Sequence, residues 1–284
     1  MRMQKTGIVL EGGASRGIYT AGVLDVLLEN CIYFDGCMGV SAGAIHGISY
    51  VSRQAGRSYC FSVKYCNDSR FMSIRSLLRT GDICGAKFCY YDIPERLVPF
   101  ASESFEKSST KFYCVCTDVK TGKAVYHLCP SVTQREVEWV RASASMPMVS
   151  RNVEIDGQLL LDGGVADSIP FRKMQEFGYE KCVVVCTQHD GYRKKKESLS
   201  KLMPLRYGDY PAFVQTMQNR PTMYNAQLDD LKTAEENGEV FVIRPSKPLQ
   251  IGRVEHDENV LRSVYLLGRE DAERMLDGLK HFLR

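Results

Sequence analysis

Two strand–turn–helix units in succession at the start of the chain constrain its fold more than any other feature. Thr6 to Leu10 is a short apolar run ending in a glycine cluster, and Ile18, Ala21, Leu24, Leu27 and Leu28 then recur at helical spacing up to Asn30. The pattern repeats at once: Gly36 to Val40 leads into Ser41, after which Ala42, Ala44, Ile45, Ile48 and Ser49 suit a closely packed helix. Strands that alternate with helices in this way imply a parallel sheet with helices on its faces.

Further along, strand patterns are expected at Lys111 to Thr117 and Ala124 to Leu128, joined by a turn at Lys120-Thr121-Gly122-Lys123. Val153 to Ile155 and Gln158 to Leu161 flank Asp156-Gly157, the clearest two-residue hairpin signal in the chain. Lys181 to Thr187 reads as a buried central strand and Val240 to Arg244 as the last strand. Residues 53–109 carry mixed polarity and read as helices with irregular chain, and Glu136 to Ala144 as a helix that stops before Pro147. Asp257 opens one helical run and Ala272 to Leu283 forms another, with Gly268 as the expected break between them. The expected division is a catalytic core over residues 1–190 and a C-terminal portion over 191–284 packed on it, within one structural domain.

Gly39-Val40-Ser41-Ala42-Gly43 places a serine on a tight turn between a strand and a helix. Glycines on both sides let the two elements approach, and the helix N-terminus aims N–H groups at a developing oxyanion. Upstream, Gly12-Gly13-Ala14-Ser15-Arg16-Gly17 sits at the end of the first strand. A dinucleotide fingerprint fails because Ala14 stands where a second glycine is required, and no P-loop Lys-Ser/Thr follows. An oxyanion loop facing Ser41 is the economical reading. Arg16 either braces that loop or attracts an anionic group. Asp162 ends an apolar strand before Gly163 and Gly164, a corner that would hold its carboxylate in place. Of the five histidines, His46 sits inside the helix after Ser41 and should point away from the elbow, while only His189 has the chain position of a triad base. An elbow that follows a single strand and helix argues against that triad and for a Ser-Asp pair. To take a proton, Asp162 must be ionised, which favours a partly buried, hydrogen-bonded carboxylate.

A net charge of +3 gives no reason to expect nucleic-acid binding. The apolar stretch before Glu11 is too short for a signal-peptide core, and nothing later reaches transmembrane length. With 11 cysteines, an odd number, several of them in apolar strand runs (Cys114, Cys116, Cys182, Cys186), a reducing cytoplasm is expected. The pairs Cys60/Cys66 and Cys84/Cys89 lack zinc-site spacing, so no metal and no cofactor is expected. Arg193-Lys194-Lys195-Lys196 reads as a solvated loop, with a contact to an anionic membrane surface as the alternative. The segment carrying Pro204, Tyr207, Tyr210, Pro211, Phe213, Met217, Met223 and Tyr224 reads either as a lid or acyl-pocket wall or as peripheral core.

Four blocks in order resemble the patatin-like phospholipase family: Gly12–Gly17, Gly39–Gly43, Ala142-Ser143-Ala144-Ser145-Met146-Pro147 and Asp162-Gly163-Gly164, spanning about residues 7–170. The resemblance implies a three-layer α/β/α fold with a mainly parallel central sheet and a helical C-terminal portion. It implies hydrolysis of acyl esters in lipids without a histidine, with Ser41 as nucleophile, Asp162 as general base and N–H groups around Gly12, Gly13 and Ala14 stabilising the oxyanion. A phospholipid or other acyl-ester substrate and peripheral membrane contact would follow, with the oligomeric state open. Ala14 departs from the family's third glycine, and if the position needs a positive φ the alanine costs about 1 kcal/mol. The alternatives are a small-ester or thioester hydrolase of the same mechanism and a non-catalytic lipid- or phosphate-binding module.

Overall fold

The computed structural model describes residues 4–195 and 202–284. In chain order the first half comprises β1 (Thr6–Leu10), α1 (Ile18–Glu29), β2 (Gly36–Val40), α2 (Ala42–Val51), α3 (Arg57–Lys64), α4 (Ile74–Thr80), a π-helical stretch (Phe88–Leu97), α5 (Ser102–Glu106), β3 (Lys111–Asp118), β4 (Ala124–Cys129) and α6 (Gln134–Ser143). The second half comprises β5 (Val153–Ile155), β6 (Gln158–Asp162), α7 (Phe171–Glu176), β7 (Lys181–Val185), α8 (Met203–Tyr207), α9 (Pro211–Glu236), β8 (Val240–Ile243) and α10 (Glu258–Leu283). Eight strands form one sheet in the order β5-β6-β3-β2-β1-β7-β8, with β4 also paired to β3. The run from β3 to β8 is parallel, and β4, β5 and β6 join it antiparallel.

The central strands are apolar over most of their length, as strands covered on both faces are. Ile8 and Leu10 of β1, with Val183 and Val185 of β7, face a core shared with α1, α2, α6 and α10. Val9, Cys182 and Val184 face the opposite core, built with Phe171 and Met174 of α7 and Tyr224 and Leu231 of α9. The result is the expected three-layer α/β/α arrangement. The Asp156-Gly157 hairpin is also present, with φ of 51° and 75° at its two positions, as a tight two-residue turn between strands demands.

One expectation is corrected. Gly268 does not break the C-terminal helix, which runs unbroken from Glu258 to Leu283. Glycine is needed there for close approach: a Cβ on Gly268 would lie 2.2 Å from the Tyr19 carbonyl of α1, and one on Gly22 would lie 2.2 Å from the Tyr265 carbonyl of α10. The two helices therefore touch backbone to backbone. Reciprocal hydrogen bonds pin the crossing, from Tyr19 Oη to Asp271 (3.1 Å) and from Tyr265 Oη to Asp25 (2.8 Å).

Strand register explains why Ser41 and Asp162 meet. A strand has two edges, and β4 occupies one edge of β3 over Phe112 to Thr117. Both β2 and β6 must therefore use the other edge: Val40 pairs with Val115, and Asp162 pairs with Cys116, the next residue along. The residue leaving β2 and the last residue of β6 are thus delivered to one point.

Candidate active site

Ser41 leaves β2 and caps α2 with φ 56° and ψ −123°, a conformation that costs about 1–3 kcal/mol for a residue with a side chain. What holds it is a clamp that the sequence did not reveal. The Ser41 N–H donates to Ser143 Oγ (2.9 Å), and the Ser143 hydroxyl in turn donates to the Val115 carbonyl (2.7 Å). That N–H is therefore committed to the clamp and is not open to a substrate. The Ser41 carbonyl accepts from the N–H groups of Ala44 and Ile45. Gly39 lies in β2 just before the elbow, and Gly43 allows the first turn of α2 to ride on β1, since a Cβ there would meet the Leu10 carbonyl at 2.3 Å.

Asp162 carries four hydrogen bonds. Oδ2 accepts from Ser41 Oγ (2.6 Å), and Oδ1 accepts from the N–H of Gly164 (2.8 Å), in the short turn Gly163–Val165. Its own N–H donates to the Ser145 carbonyl (2.9 Å), and its carbonyl accepts from Thr117 Oγ1 (2.8 Å). The partial burial expected from sequence is corrected, because Asp162 is only 5% exposed and Ser41 only 7%. Burial pushes the Asp162 carboxyl above its ordinary value. The Arg220 guanidinium opposes that shift most strongly, followed by the hydrogen bonds from Ser41 and Gly164 and the charge of Lys194.

The loop after β1 lies directly against Ser41. A Cβ on Gly12 would sit 2.8 Å from the Ser41 Cβ, so only glycine lets the backbone pass there. Among the described residues, the N–H groups of Gly12, Gly13 and Ala14 donate to no protein acceptor, whereas Ser15 and Arg16 donate to Arg253 and Gly13 carbonyls. Gly17 closes the turn Ala14–Gly17 and packs under Ala42 and His46. Ala14 has φ 49°, the left-handed region that favours glycine. Ala14→Gly is accordingly expected to stabilise the protein by about 0.5–1 kcal/mol in urea denaturation.

Glu11 anchors this loop and was also missed. Its carboxylate is buried and accepts from the Thr187 N–H (2.6 Å) and from Tyr224 Oη (2.5 Å), while Thr187 Oγ1 donates to the Gly12 carbonyl (2.8 Å). Tyr224 lies on α9, one turn beyond Arg220, whose Nε donates to the Gly164 carbonyl (2.7 Å). One helix thus grips both the glycine loop and the Asp162 turn. Arg16 is half-buried, and its Nε is enclosed without a hydrogen-bond partner among the described residues.

No histidine hydrogen-bonds Ser41 or Asp162 among the described residues. His46 is buried against Phe61 with its pKa lowered to about 4 by burial, and its Nδ1 has no hydrogen-bond partner among the described residues. Rather than turning wholly away, it lines the same cavity as Ser41. His189 bonds its neighbour's carbonyl, at Asp190. His127 pairs with Glu136 at 2.7 Å, and their ligand atoms lie within 4.8 Å of Cys129 Sγ, the only such trio among the described residues. Arg193, from the basic run, pairs with Asp229, while Lys196 lies outside the described residues.

Two cavities meet at Ser41 and share only Ala14, Ser41 and Met146. The larger, about 230 Å³, is walled mainly by apolar side chains such as Ile45, Phe61, Phe71, Phe105, Val140 and Leu261. The smaller, about 140 Å³, contains Asp162, the glycine loop and several basic side chains. Of the segment left open between lid and peripheral core, Met217 and Tyr224 line this second cavity, while Tyr207 and Phe213 are buried in a core cluster with Leu161 and Val165.

Residues 8–174 match the family model described as patatin-like phospholipase, and residues 210–284 match a second described as a domain of unknown function (DUF6363). The uncharacterized protein YjjU of Escherichia coli is 26% identical over 279 residues, 93% of this chain and 75% of that protein. Lysophospholipase nte1 of Aspergillus oryzae is 26% identical over 267 residues, 85% of this chain but only 16% of that much longer protein. Among solved structures, VipD from Legionella pneumophila aligns with a TM-score of 0.48 and 11% identity, over 97% of this chain and 67% of that one.

Proposed function

We propose that this chain, which belongs to the patatin-like phospholipase family, is a serine acyl hydrolase of lipid esters that works through Ser41 and Asp162. The observation that carries this reading is the 2.6 Å hydrogen bond from Ser41 Oγ to Asp162 Oδ2, made beside a glycine loop whose N–H groups at Gly12, Gly13 and Ala14 have no acceptor among the described residues. In the reaction Ser41 Oγ attacks the ester carbonyl as its proton passes to Asp162. The N–H groups of Gly12, Gly13 and Ala14 receive the negative charge on the carbonyl oxygen. The protonated Asp162 then gives its proton to the leaving alcohol, and the acyl group stays on Ser41. Water, deprotonated by Asp162, releases the acid and restores the pair.

The apolar cavity suits the acyl chain, since an alkyl group gains about 0.8 kcal/mol per buried methylene. Residues 1–190 would carry the reacting groups, with 191–284 completing the site through α9. No helix among the described residues is long and apolar enough to cross a membrane, so substrate in a bilayer would be reached from its surface. The name of the fungal relative agrees with lysophospholipids as one substrate.

The test is covalent labelling by a fluorophosphonate, followed by a chain-length series of p-nitrophenyl esters. Labelling that Asp162→Asn suppresses, with kcat/KM rising from acetate to octanoate, supports the reading. A protein that is never labelled is a binding module, and a preference for acetate marks a small-ester hydrolase.

Arg220 provides a separate prediction. Its charge opposes the upward shift of Asp162, and Asp162 must be ionised to accept the proton. Arg220→Met should therefore move the acid limb of the kcat/KM profile to higher pH, with a loss of roughly 3- to 10-fold at pH 6. An acid limb that stays in place would show that Arg220 acts only by packing.

A further inference from the structure

Away from the reacting pair, β4 and α6 bring three side chains of metal-binding type together. His127 and Cys129 stand two residues apart on β4 and so share one face of the sheet. Glu136 comes from the first turn of α6. The donor atoms, His127 Nε2, Cys129 Sγ and a Glu136 carboxylate oxygen, all lie within 4.8 Å of one another. Cys129 is 3% exposed and Glu136 6%, so this is an enclosed cluster and not a surface one. It is separate from the pairs Cys60/Cys66 and Cys84/Cys89 that the sequence brings forward for zinc.

Each donor is held from behind, as a preformed metal site requires. Trp139 stacks on the His127 ring, with centroids 4.0 Å apart and planes 8° from parallel. Arg135 Nη1 donates to Glu136 Oε1 (2.8 Å), which leaves Oε2 facing His127 Nε2 at 2.7 Å. The same guanidinium also bonds Asp156, so its charge is answered outside the cluster. Cys114 Sγ lies 3.6 Å from Cys129 Sγ, near enough for its S–H to turn toward a Cys129 thiolate. Charge balances as well, because a thiolate and a carboxylate cancel the two charges of a buried divalent cation. Calcium and magnesium take oxygen ligands, whereas a mixed set of nitrogen, sulfur and oxygen suits zinc. Zinc bonds of about 2.0–2.3 Å at tetrahedral angles set ligand atoms about 3.3–3.6 Å apart, so the contact between His127 and Glu136 has to open by only about 0.6 Å.

We propose that His127, Cys129 and Glu136 form a binding site for one zinc ion. The Cys129 thiol gives its proton to solvent on binding. Cys129 and Glu136 also line the larger cavity, and a water from that side is the fourth ligand. The site ties the start of α6 to β4, and the same helix ends at Ser143, whose hydroxyl holds the Ser41 N–H. Zinc thus braces the helix that clamps the elbow. Nothing in this assignment rests on the hydrolase reading.

The test is zinc titration of EDTA-treated protein in competition with a chromophoric chelator, alongside thermal melting. The expected result is one ion per chain with a Kd on the order of 1 µM or below, unaffected by excess magnesium or calcium, and a rise in Tm of about 4–5 °C at a hundredfold excess over Kd. His127→Gln and Cys129→Ser should each weaken binding more than about tenfold and lose the rise, while Cys31→Ser, at an exposed thiol, changes neither. Absence of binding would overturn the proposal. So would equal binding by the His127 and Cys129 variants, which would place zinc on other cysteines. Should a variant fail to fold in EDTA, X-ray absorption on the native protein with one equivalent of zinc decides the matter. One sulfur at about 2.3 Å with nitrogen and oxygen at about 2.0–2.2 Å supports the site, and two or more sulfurs, or none, overturn it. Neither measurement involves turnover, so failure of the site and failure of the hydrolase reading are seen separately.

Discussion

Ser41→Ala is expected to lower the rate of ester hydrolysis by on the order of 10⁴-fold or more, and to abolish labelling by a fluorophosphonate. The change removes the attacking oxygen, and no other described hydroxyl bonds Asp162 from the reacting side. It should leave the fold in place. The clamp on the elbow runs through the Ser41 main-chain N–H and Ser143, and both survive the substitution. The one loss is a hydrogen bond to a buried carboxylate, which raises the Asp162 pKa further and brings a small change in stability. A folded Ser41→Ala protein with native turnover would sink the assignment of Ser41.

Asp162→Asn is expected to cost about 10³-fold or more in kcat while leaving Tm at or above the native value. Asparagine keeps an acceptor for the Gly164 N–H and the main-chain bonds to Ser145 and Thr117, but it cannot take a proton. The stability side follows from the direction of the shift. Folding raises the pKa of Asp162, so its contribution is fully present below the unfolded carboxylate range and is lost as pH rises through the folded value. Once pH has risen through that folded value, the charge on the buried group is a burden, which the neutral amide removes. Melting curves at pH 5 and pH 8 check this: the advantage of the variant should be larger at pH 8. A variant that melts well below native at both values would mean that Asp162 mainly holds the turn together.

The parts of this site that could be read from the sequence are those encoded locally. A strand, a glycine turn and a helix within about twenty residues reveal Ser41, and an apolar run ending in Asp-Gly-Gly reveals Asp162. The consequence of a positive φ at Ala14 could likewise be anticipated from the missing glycine. Ser143, Arg220, Tyr224 and Glu11 are different, because each acts on a partner far away in sequence. Tyr224 and Glu11 are 213 residues apart, Ser143 and Ser41 102, and Arg220 and Gly164 56. Nothing in the local pattern around Arg220 marks it, since on a long helix with mixed faces it reads as an ordinary polar position, and the aromatic run that includes Tyr224 gives no hint of a bond to Glu11. Gly268 misled for a related reason. Glycine inside a helical pattern usually signals an end, but here it answers a demand set by α1, more than two hundred residues earlier.

The order in which the sheet is assembled has a consequence for synthesis. β1 lies between β2 and β7, so the strand that carries the glycine loop keeps one edge open until residues 181–185 have been made. A growing chain that has already passed Asp162 still lacks Arg220 and Tyr224. At about 5–20 residues per second, the 62 residues from 162 to 224 take roughly 3–12 s. Ser41 and Asp162 thus leave the ribosome early, and on the proposed reading their site stays incomplete until the helix that carries Arg220 and Tyr224 has been made.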